Sequence, residues 1–579
     1  MLVINVAASV QMRLTKEVKL GHLLVVVLLL LVAFQVLYPL GMLFYGSIID
    51  SAPGEQGNFT LQGYIDIFGD PDTPKLLWTT LWLAVVKTIL SVGTAILLAW
   101  AVARTNMPLA RLVEASIILL FLLPGLPKII AWILLLQPKT GLLNQFFRMI
   151  LPIGQGGLNI YSYGGIIFVG FLLVTPFLFI LILPAFRAMD ASLSEQSRVC
   201  GASTLHTLLN VEVPLMTPAF LAAIALAFIR MIESFTVEVL LGVPVNIFVL
   251  TTKIYQYIVW AEPPKYPPAM ALSISLLFAS FALVALQWKL MGRREYTTVT
   301  GKGFRVARVD LGKMKYGLFS FVALFLLVDL VIPLVMLVWG SFMKIAGVFT
   351  PNMYTLAHYQ RVLADPALRL SLSNTLVMSV GAASLGMILC AFIAYVVVRT
   401  KYFERHALDL IAWLPWSVPA VVMALGFLWA YLFLPLPSGI SLYGTLELMI
   451  LVLMCKSFPI GTKIMSSTMI QIAKELEESS RMLGASWLRT FASIMLPLVL
   501  PGFLAGWLLL FTSAVKDVDT VILLYKPTTT VISTVMFGWS AQGRYEEATI
   551  IGLIQAAIIC LVYPAVILIS RWLMPSKVA

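Results

Sequence analysis

The chain has 579 residues, of which 60% are hydrophobic and only 11% are charged, with a formal net charge of +12. Its mean hydropathy of +0.97 excludes an ordinary water-soluble globular protein. Apolar runs of about 20 residues, the length that crosses the hydrocarbon layer, recur along the whole sequence. Continuous runs are typical of helices and not of barrel strands, so the composition predicts an all-α polytopic membrane protein.

We count twelve candidate spans. In chain order they are 21–49, 77–103, 112–137, 163–186, 214–241, 266–291, 316–342, 372–398, 407–434, 443–466, 497–525 and 547–573. The first apolar run is too long for a signal peptide and has no small-residue cleavage site, so we expect an uncleaved first helix. Two ionisable residues inside spans, Lys87 and Asp329, are interpreted as packing or snorkelling side chains.

Basic residues are concentrated between the sixth and seventh spans, in the linker 292–315. The positive-inside rule places this linker in the cytoplasm. Counting spans outward from it places both termini in the cytoplasm as well. Membrane topology therefore accounts for the positive charge, and we expect no nucleic-acid partner.

The sequence contains an internal repeat. Residues 193–223 and 476–506 align without gaps at an offset of 283 and share fifteen identities in 31 positions, where composition alone gives about two or three. Upstream, "YPLGMLFYGS" matches "IPLVMLVWGS", and "ART" at 103–105 matches "VRT" at 398–400. We therefore predict two tandem six-span units, 1–291 and 316–579. Because six is even, they insert in the same orientation around a pseudo-twofold axis along the membrane normal.

Each repeat carries a polar segment between two apolar runs. We name residues 190–214 the first elbow and residues 473–497 the second elbow. Both predict a short polar helix, a turn and a second helix. The turn residues are Gly201, Ala202 and Ser203 in the first elbow and Gly484, Ala485 and Ser486 in the second, and the second helices lead to Pro214 and Pro497.

These residue types suit a helix–turn–helix at the cytoplasmic surface. The glycine can adopt the positive φ of a helix stop, the serine can cap the next helix, and the proline suits the first turn of the following span. In the second elbow Leu488, Phe491, Ala492 and Met495 predict one apolar helix face. The alternative is an interfacial helix that rests on lipid head groups.

The elbows resemble the EAA loop of type I ABC importer permeases, which depend on binding proteins. The resemblance rests on Glu195 or Glu478, the glycine six residues later, and an aliphatic-x-aliphatic-Pro ending. Polar residues replace the family's alanines after each glutamate. The duplicated chain and the phrase "TVTGKGF" in the linker are similar to the fused permeases of the ferric-iron class.

This resemblance implies the partners. Each elbow is expected to dock on one of two copies of a cytoplasmic ABC ATPase, and an extracytoplasmic binding protein is expected to deliver the substrate. The sequence around Lys302 lacks the spacing of a phosphate-binding P-loop. The chain is therefore not expected to be an enzyme; ATP and Mg belong to the ATPase. The scattered cysteines and histidines predict no metal site or cofactor in this chain, which we place in a bacterial-type inner membrane.

Charges in the fifth spans are candidates for the translocation path. In the family that the elbows resemble, the fifth span of each unit lines the translocation path. The candidate residues are Glu233, Glu238, Asp517 and Asp519. The alternative is mutual neutralisation, with Arg230 beside Glu233 and Lys516 beside Asp517 or Asp519.

The substrate is the least constrained prediction. Ferric iron comes first, by the resemblance alone; thiamine, a polyamine, a phosphonate or sulfate stay open. An ion-gradient-driven secondary transporter would also show parallel six-span repeats, but it would not need two matched cytoplasmic elbows.

Overall fold

The structure, a computed structural model, describes residues 2–55, 57–150, 157–189, 195–197, 199–291, 309–433 and 441–573. Regular structure in these ranges is helical, apart from three isolated β-bridges. The predicted linker lies outside the described residues as far as residue 308, and so do residues 190–194 and Arg198 of the first elbow.

Ten helices in the described part of the chain are long and apolar enough to cross a membrane. They are Gly21–Ser47, Thr73–Arg104, Tyr163–Ala188, Leu208–Ile232, Tyr266–Gln287, Met314–Phe342, Pro366–Arg399, Leu446–Ile470, Phe491–Val515 and Tyr545–Ser570. Two bent pairs are Ala110–Leu122 with Gly125–Leu136 and Glu404–Ser417 with Ala420–Leu432. Counting each pair as one span gives the predicted twelve.

Shorter helices lie between the spans. They include Gln62–Gly69, Leu142–Ile150, Thr236–Leu241, Leu250–Tyr255, Ala357–Ala364, Glu475–Met482 and Ile532–Ala541.

The third and ninth spans, predicted over 112–137 and 407–434, each consist of two helices joined by a bend. The first pair bends by 97° and the second by 114°. Leu123 and Val418 stand at the breaks, with ψ angles of 147° and 116°, and each precedes a proline. A proline ring disfavours the helical conformation in the residue before it and removes a backbone donor. The breaks therefore follow from local sequence.

The fifth and eleventh spans are shorter than the predicted 214–241 and 497–525. Their helices end at Ile232 and Val515, and short helices or turns follow. The candidate path residues therefore lie in the segments after these helices and not inside them.

The helices form two compact units that do not follow the sequence halves. One consists of Met1–Thr60, Leu370–Val531 and Ile558–Ala579; the other consists of Leu61–Arg369 and Ile532–Ala557. The first span thus belongs with helices of the second half, and the seventh span belongs with helices of the first half. Each unit is completed by a span from the other repeat.

Neutral polar groups attach the first span within its unit. Gln35 Nε2 donates a hydrogen bond to the carbonyl of Leu451 at 3.0 Å, and Gln35 Oε1 accepts one from the Tyr431 hydroxyl at 3.2 Å. The Tyr38 hydroxyl donates to the carbonyl of Ala430 at 3.1 Å. Since lipid offers no competing donors or acceptors, these bonds specify where the span packs.

A buried ion pair attaches the seventh span within the other unit. Lys128 Nζ donates to Asp329 Oδ1 at 2.7 Å, and both side chains are buried. Lys128 lies in the first turn after the bend of the third span, and Asp329 lies in a π-helical turn, Leu327–Val331. Of the two interpretations of Asp329, packing therefore fits and snorkelling does not. In the aligned repeats Asp329 occupies the position of Gln35, so one unit uses charge where the other uses an amide.

Replacing Lys128 by Met alone should destabilise the protein by about 3–5 kcal/mol, because it leaves the Asp329 carboxylate buried without its counter-charge. The double variant Lys128→Met/Asp329→Leu should recover most of that loss. Stability would be measured by thermal unfolding in lipid nanodiscs.

The exposed pair Lys463–Asp409, at 3.2 Å, is the control. The same double-mutant cycle there should give at most about 1 kcal/mol. Equal coupling energies in the two cycles would contradict a structural role for the buried pair.

Candidate functional site

The two elbows have the same backbone turn. Gly201 has φ +86° and Gly484 has φ +84°, the left-handed conformation that glycine adopts without strain. The Ala202 amide donates to the Ser197 carbonyl at 3.1 Å, and the Ala485 amide donates to the Ser480 carbonyl at 3.2 Å. The prediction of a glycine helix stop is confirmed in both repeats.

The serine after each turn caps the next helix. Ser203 Oγ accepts a hydrogen bond from the amide of His206 at 3.2 Å, and Ser486 Oγ accepts one from the amide of Arg489 at 3.4 Å. Both serines are three residues before their donors, as in an N-terminal cap. The predicted caps are confirmed.

A pair of hydroxyl groups closes each elbow. Ser197 Oγ lies 3.0 Å from Thr207 Oγ1, and Ser480 Oγ lies 2.9 Å from Thr490 Oγ1. The sequence analysis did not propose this contact, although all four residues belong to the fifteen identities of the repeat. Identity at two polar positions ten residues apart was the signal that could have found it.

The second helix of each elbow is not the regular α-helix that was predicted. A single turn, Thr204–Thr207 or Trp487–Thr490, leads into a π-helical turn, Leu208–Glu212 or Phe491–Met495. In the second elbow Met495 is buried and Ala492 is exposed.

Proline explains the wider turn. Pro214 and Pro497 lie in the first turn of the helices that follow, as predicted. A proline ring clashes with the carbonyl four residues earlier. The π-helical turn accommodates the ring while the chain stays helical into the membrane span.

The tip of each elbow is apolar and open. Val199 is 87% exposed in the first elbow, and at the tip of the second Met482 is 88% and Leu483 is 89% exposed. Glu195 and Glu478 are exposed beside them. Large apolar side chains on an otherwise polar surface segment mark a surface for contact with another molecule.

The acidic candidates in the first repeat are paired with cations. Glu233 lies 4.0 Å from Arg230, the pairing proposed as the structural alternative. Glu238 pairs with Lys87, and both side chains are 1% exposed. Ser234 Oγ also donates to Glu238 Oε2 at 2.5 Å. Of the two interpretations of Lys87, packing fits and snorkelling does not, because its ammonium group is buried against this carboxylate.

The second repeat uses different partners. Asp517 Oδ2 lies 2.5 Å from Lys456 Nζ and 3.1 Å from the Thr520 hydroxyl. Lys456 comes from the tenth span, and this pairing was not predicted. Asp519 is half-buried in the turn that follows the eleventh span. The structure brings Glu238 and Asp517 each to a lysine, which reduces the net negative charge that they present.

A family model decides what this repeated architecture is. The family described as "Binding-protein-dependent transport system inner membrane component" matches residues 91–294 and 386–575, so each sequence half carries one copy. The chain belongs to this family. It is a multi-pass inner membrane permease of a binding-protein-dependent ABC importer. The family is the non-catalytic membrane component, in agreement with the prediction that this chain is not an enzyme.

Curated relatives cover most of the permease. It is 26% identical over 94% of its length to the "Ferric transport system permease protein FbpB" of Actinobacillus pleuropneumoniae, covering 77% of that protein. It is also 26% identical over 86% of its length to the "Putative ferric transport system permease protein FbpB 1" of Haemophilus influenzae, again covering 77%. A "Probable sulfate transport system permease protein cysT" of Nephroselmis olivacea is 25% identical over 44% of the permease and 88% of that protein.

Replacing Gly484 by Ala should loosen the second elbow of the permease. Its positive φ strains any other residue by about 1–2 kcal/mol, although a Cβ at this position meets no described atom within 4 Å. Trypsin cleavage after the exposed Arg481 should accelerate by about fivefold or more, since cleavage follows the population of the open form.

Gly54→Ala is the matched control, because Gly54 has φ +88° and equally open surroundings outside the elbows. Equal cleavage rates in Gly484→Ala and wild type would show that the turn does not depend on this conformation.

Proposed function

We propose that the permease forms the translocation pathway of an importer driven by two copies of a cytoplasmic ABC ATPase, one at each elbow. The observation that carries this proposal is the pair of matched elbows, each with an apolar tip beside a positive-φ glycine. The roles in ATPase coupling fall to Glu195, Gly201, Ala202, Ser203 and Pro214 and to Glu478, Gly484, Ala485, Ser486 and Pro497.

The chemistry of the tips supports a protein partner over lipid. Val199, Met482 and Leu483 are exposed together with Glu195 and Glu478, and carboxylates are disfavoured at the anionic surface of a cytoplasmic leaflet. A groove on the partner protein that accepts an apolar side chain, with a basic residue at its edge to pair with the neighbouring glutamate, would fit these tips. ATP and Mg would bind in the partner.

The proposed topology follows from the basic linker 292–315. It lies in the cytoplasm together with both termini and both elbows, and it joins the permease units 1–291 and 316–579. The segments after the fifth and eleventh spans then face the extracytoplasmic side, where a binding protein delivers substrate. Their charges, Glu233, Glu238, Asp517 and Asp519, stay candidates for the upper part of the path.

We propose ferric iron as the substrate. Relatives named as ferric permeases match 94% and 86% of the chain, and so cover both permease units. The carboxylates of Glu238 and Asp517 are each paired with a lysine and so present little free negative charge to a cation. This supports selection of the substrate mainly by the binding protein.

Introducing charge at the tips should separate the ATPase from the permease. Val199→Asp combined with Met482→Asp would place carboxylates in apolar grooves of the partner. The amount of ATPase that co-purifies with the permease should fall by about tenfold or more.

Phe403→Asp is the control, because Phe403 is 86% exposed outside both elbows and should tolerate the change. Undiminished co-purification in the tip variant would overturn the proposed docking. Uptake of radiolabelled ferric iron that persists without any ATPase, and stops when the proton gradient is dissipated, would favour a secondary transporter instead.

A further inference from the structure

Two arginines at the ends of spans connect each elbow to the helix bundle. Arg104 is the last residue of the helix Thr73–Arg104, and Arg399 is the last residue of Pro366–Arg399. Both side chains are buried. They are the central residues of the matching "ART" and "VRT" sequences of the two repeats. The proposed function assigns these arginines no role.

Arg104 joins three elements of the first repeat. Its Nη1 donates to the carbonyl of Met189, just after the helix Tyr163–Ala188, at 3.5 Å. Its Nη2 lies 3.6 Å from Oε1 of Glu212, which is itself buried in the π-helical turn of the first elbow. The guanidinium therefore contacts the elbow at the point where it continues into the fifth span.

Arg399 joins the equivalent elements of the second repeat but meets the elbow elsewhere. Its Nη2 donates to the carbonyls of Met469 and Ile472, at the end of the tenth span, at 2.8 and 2.7 Å. Its Nε lies 3.1 Å from Oε1 of Glu477, which belongs to the helix Glu475–Met482 of the second elbow. Here the contact is with the elbow's first helix, close to the exposed tip.

We infer that Arg104 and Arg399 are positioning residues that carry a displacement of each elbow into the ends of two spans. The inference rests on the proposed function, in which an ATPase moves the elbows. A planar guanidinium with five donors can hold two carbonyls and a carboxylate at once, whereas a lysine ammonium cannot reproduce that fork.

The two elbows are consequently attached at different points. The position equivalent to Glu212 is Met495, and the position equivalent to Glu477 is Ser194. Neither of these residues carries a carboxylate that could pair with a guanidinium. The first elbow thus moves with the base of the fifth span, while the first helix of the second elbow moves with the eighth and tenth spans.

The first test uses the purified full chain in nanodiscs without a partner. Arg399→Lys keeps the charge but loses the fork, so amide hydrogen exchange of residues 475–482 should rise roughly tenfold. Glu477→Gln tests the same contact if the arginine variant does not fold. Glu212→Gln should instead raise exchange at 208–216 and leave 475–482 unchanged.

Arg405→Lys is the matched control. Arg405 donates to the Thr400 carbonyl at 2.9 Å on the cytoplasmic side, outside both elbows. Exchange at 475–482 in this variant should equal that of the wild type. Unchanged exchange in both Arg399→Lys and Glu477→Gln would overturn the inference.

The second test uses the permease with its co-purified ATPase, trapped with ATP and vanadate. In the wild type, trapping should change exchange both in the second elbow and at residues 390–399. In Arg399→Lys the ATPase should still bind, but the change at 390–399 should be lost; a merely structural role would lower stability and keep this response.

The two failures can be told apart. If no ATPase co-purifies with the wild type, the proposed function fails and the inference fails with it. If ATPase co-purifies and Arg399→Lys transmits the response fully, only the inference fails.

Discussion

A charge inside a helical membrane protein has to be accompanied by its counter-charge, and this constraint joins segments far apart in the sequence. Lys87 and Glu238 are 151 residues apart, and Lys128 and Asp329 are 201 apart. Removing one member of such a pair leaves the other in a medium that cannot solvate it. The pairs therefore specify which helices become neighbours where apolar packing alone gives little preference.

Local chemistry in the elbows could be predicted from the sequence. A glycine followed by a serine fixes a turn and a cap with few alternatives, and the structure has both at Gly201–Ser203 and Gly484–Ser486. The number and order of the spans could also be predicted, from hydropathy, because the thickness of the bilayer sets the length of a span.

Features that depend on three-dimensional neighbours could not be predicted in the same way. Nothing near Asp517 in the sequence selects Lys456, and nothing near Lys87 selects Glu238, because each partner arrives on another helix. The bends after Leu123 and Val418 are a different case. Their prolines were visible, but a hydropathy average over twenty residues scarcely responds to one proline.

The first span of each repeat packs in the compact unit formed mainly by the other repeat, and this has a consequence for synthesis. The span Gly21–Ser47 leaves the ribosome early, yet the rest of its unit begins only at Leu370. At about 5–20 residues per second, roughly 15–65 s pass before synthesis even reaches Leu370. During that interval neither the Leu451 carbonyl nor the Tyr431 hydroxyl exists to bond the Gln35 amide. An insertase or another temporary companion in the bilayer would shield this amide until the later helices arrive.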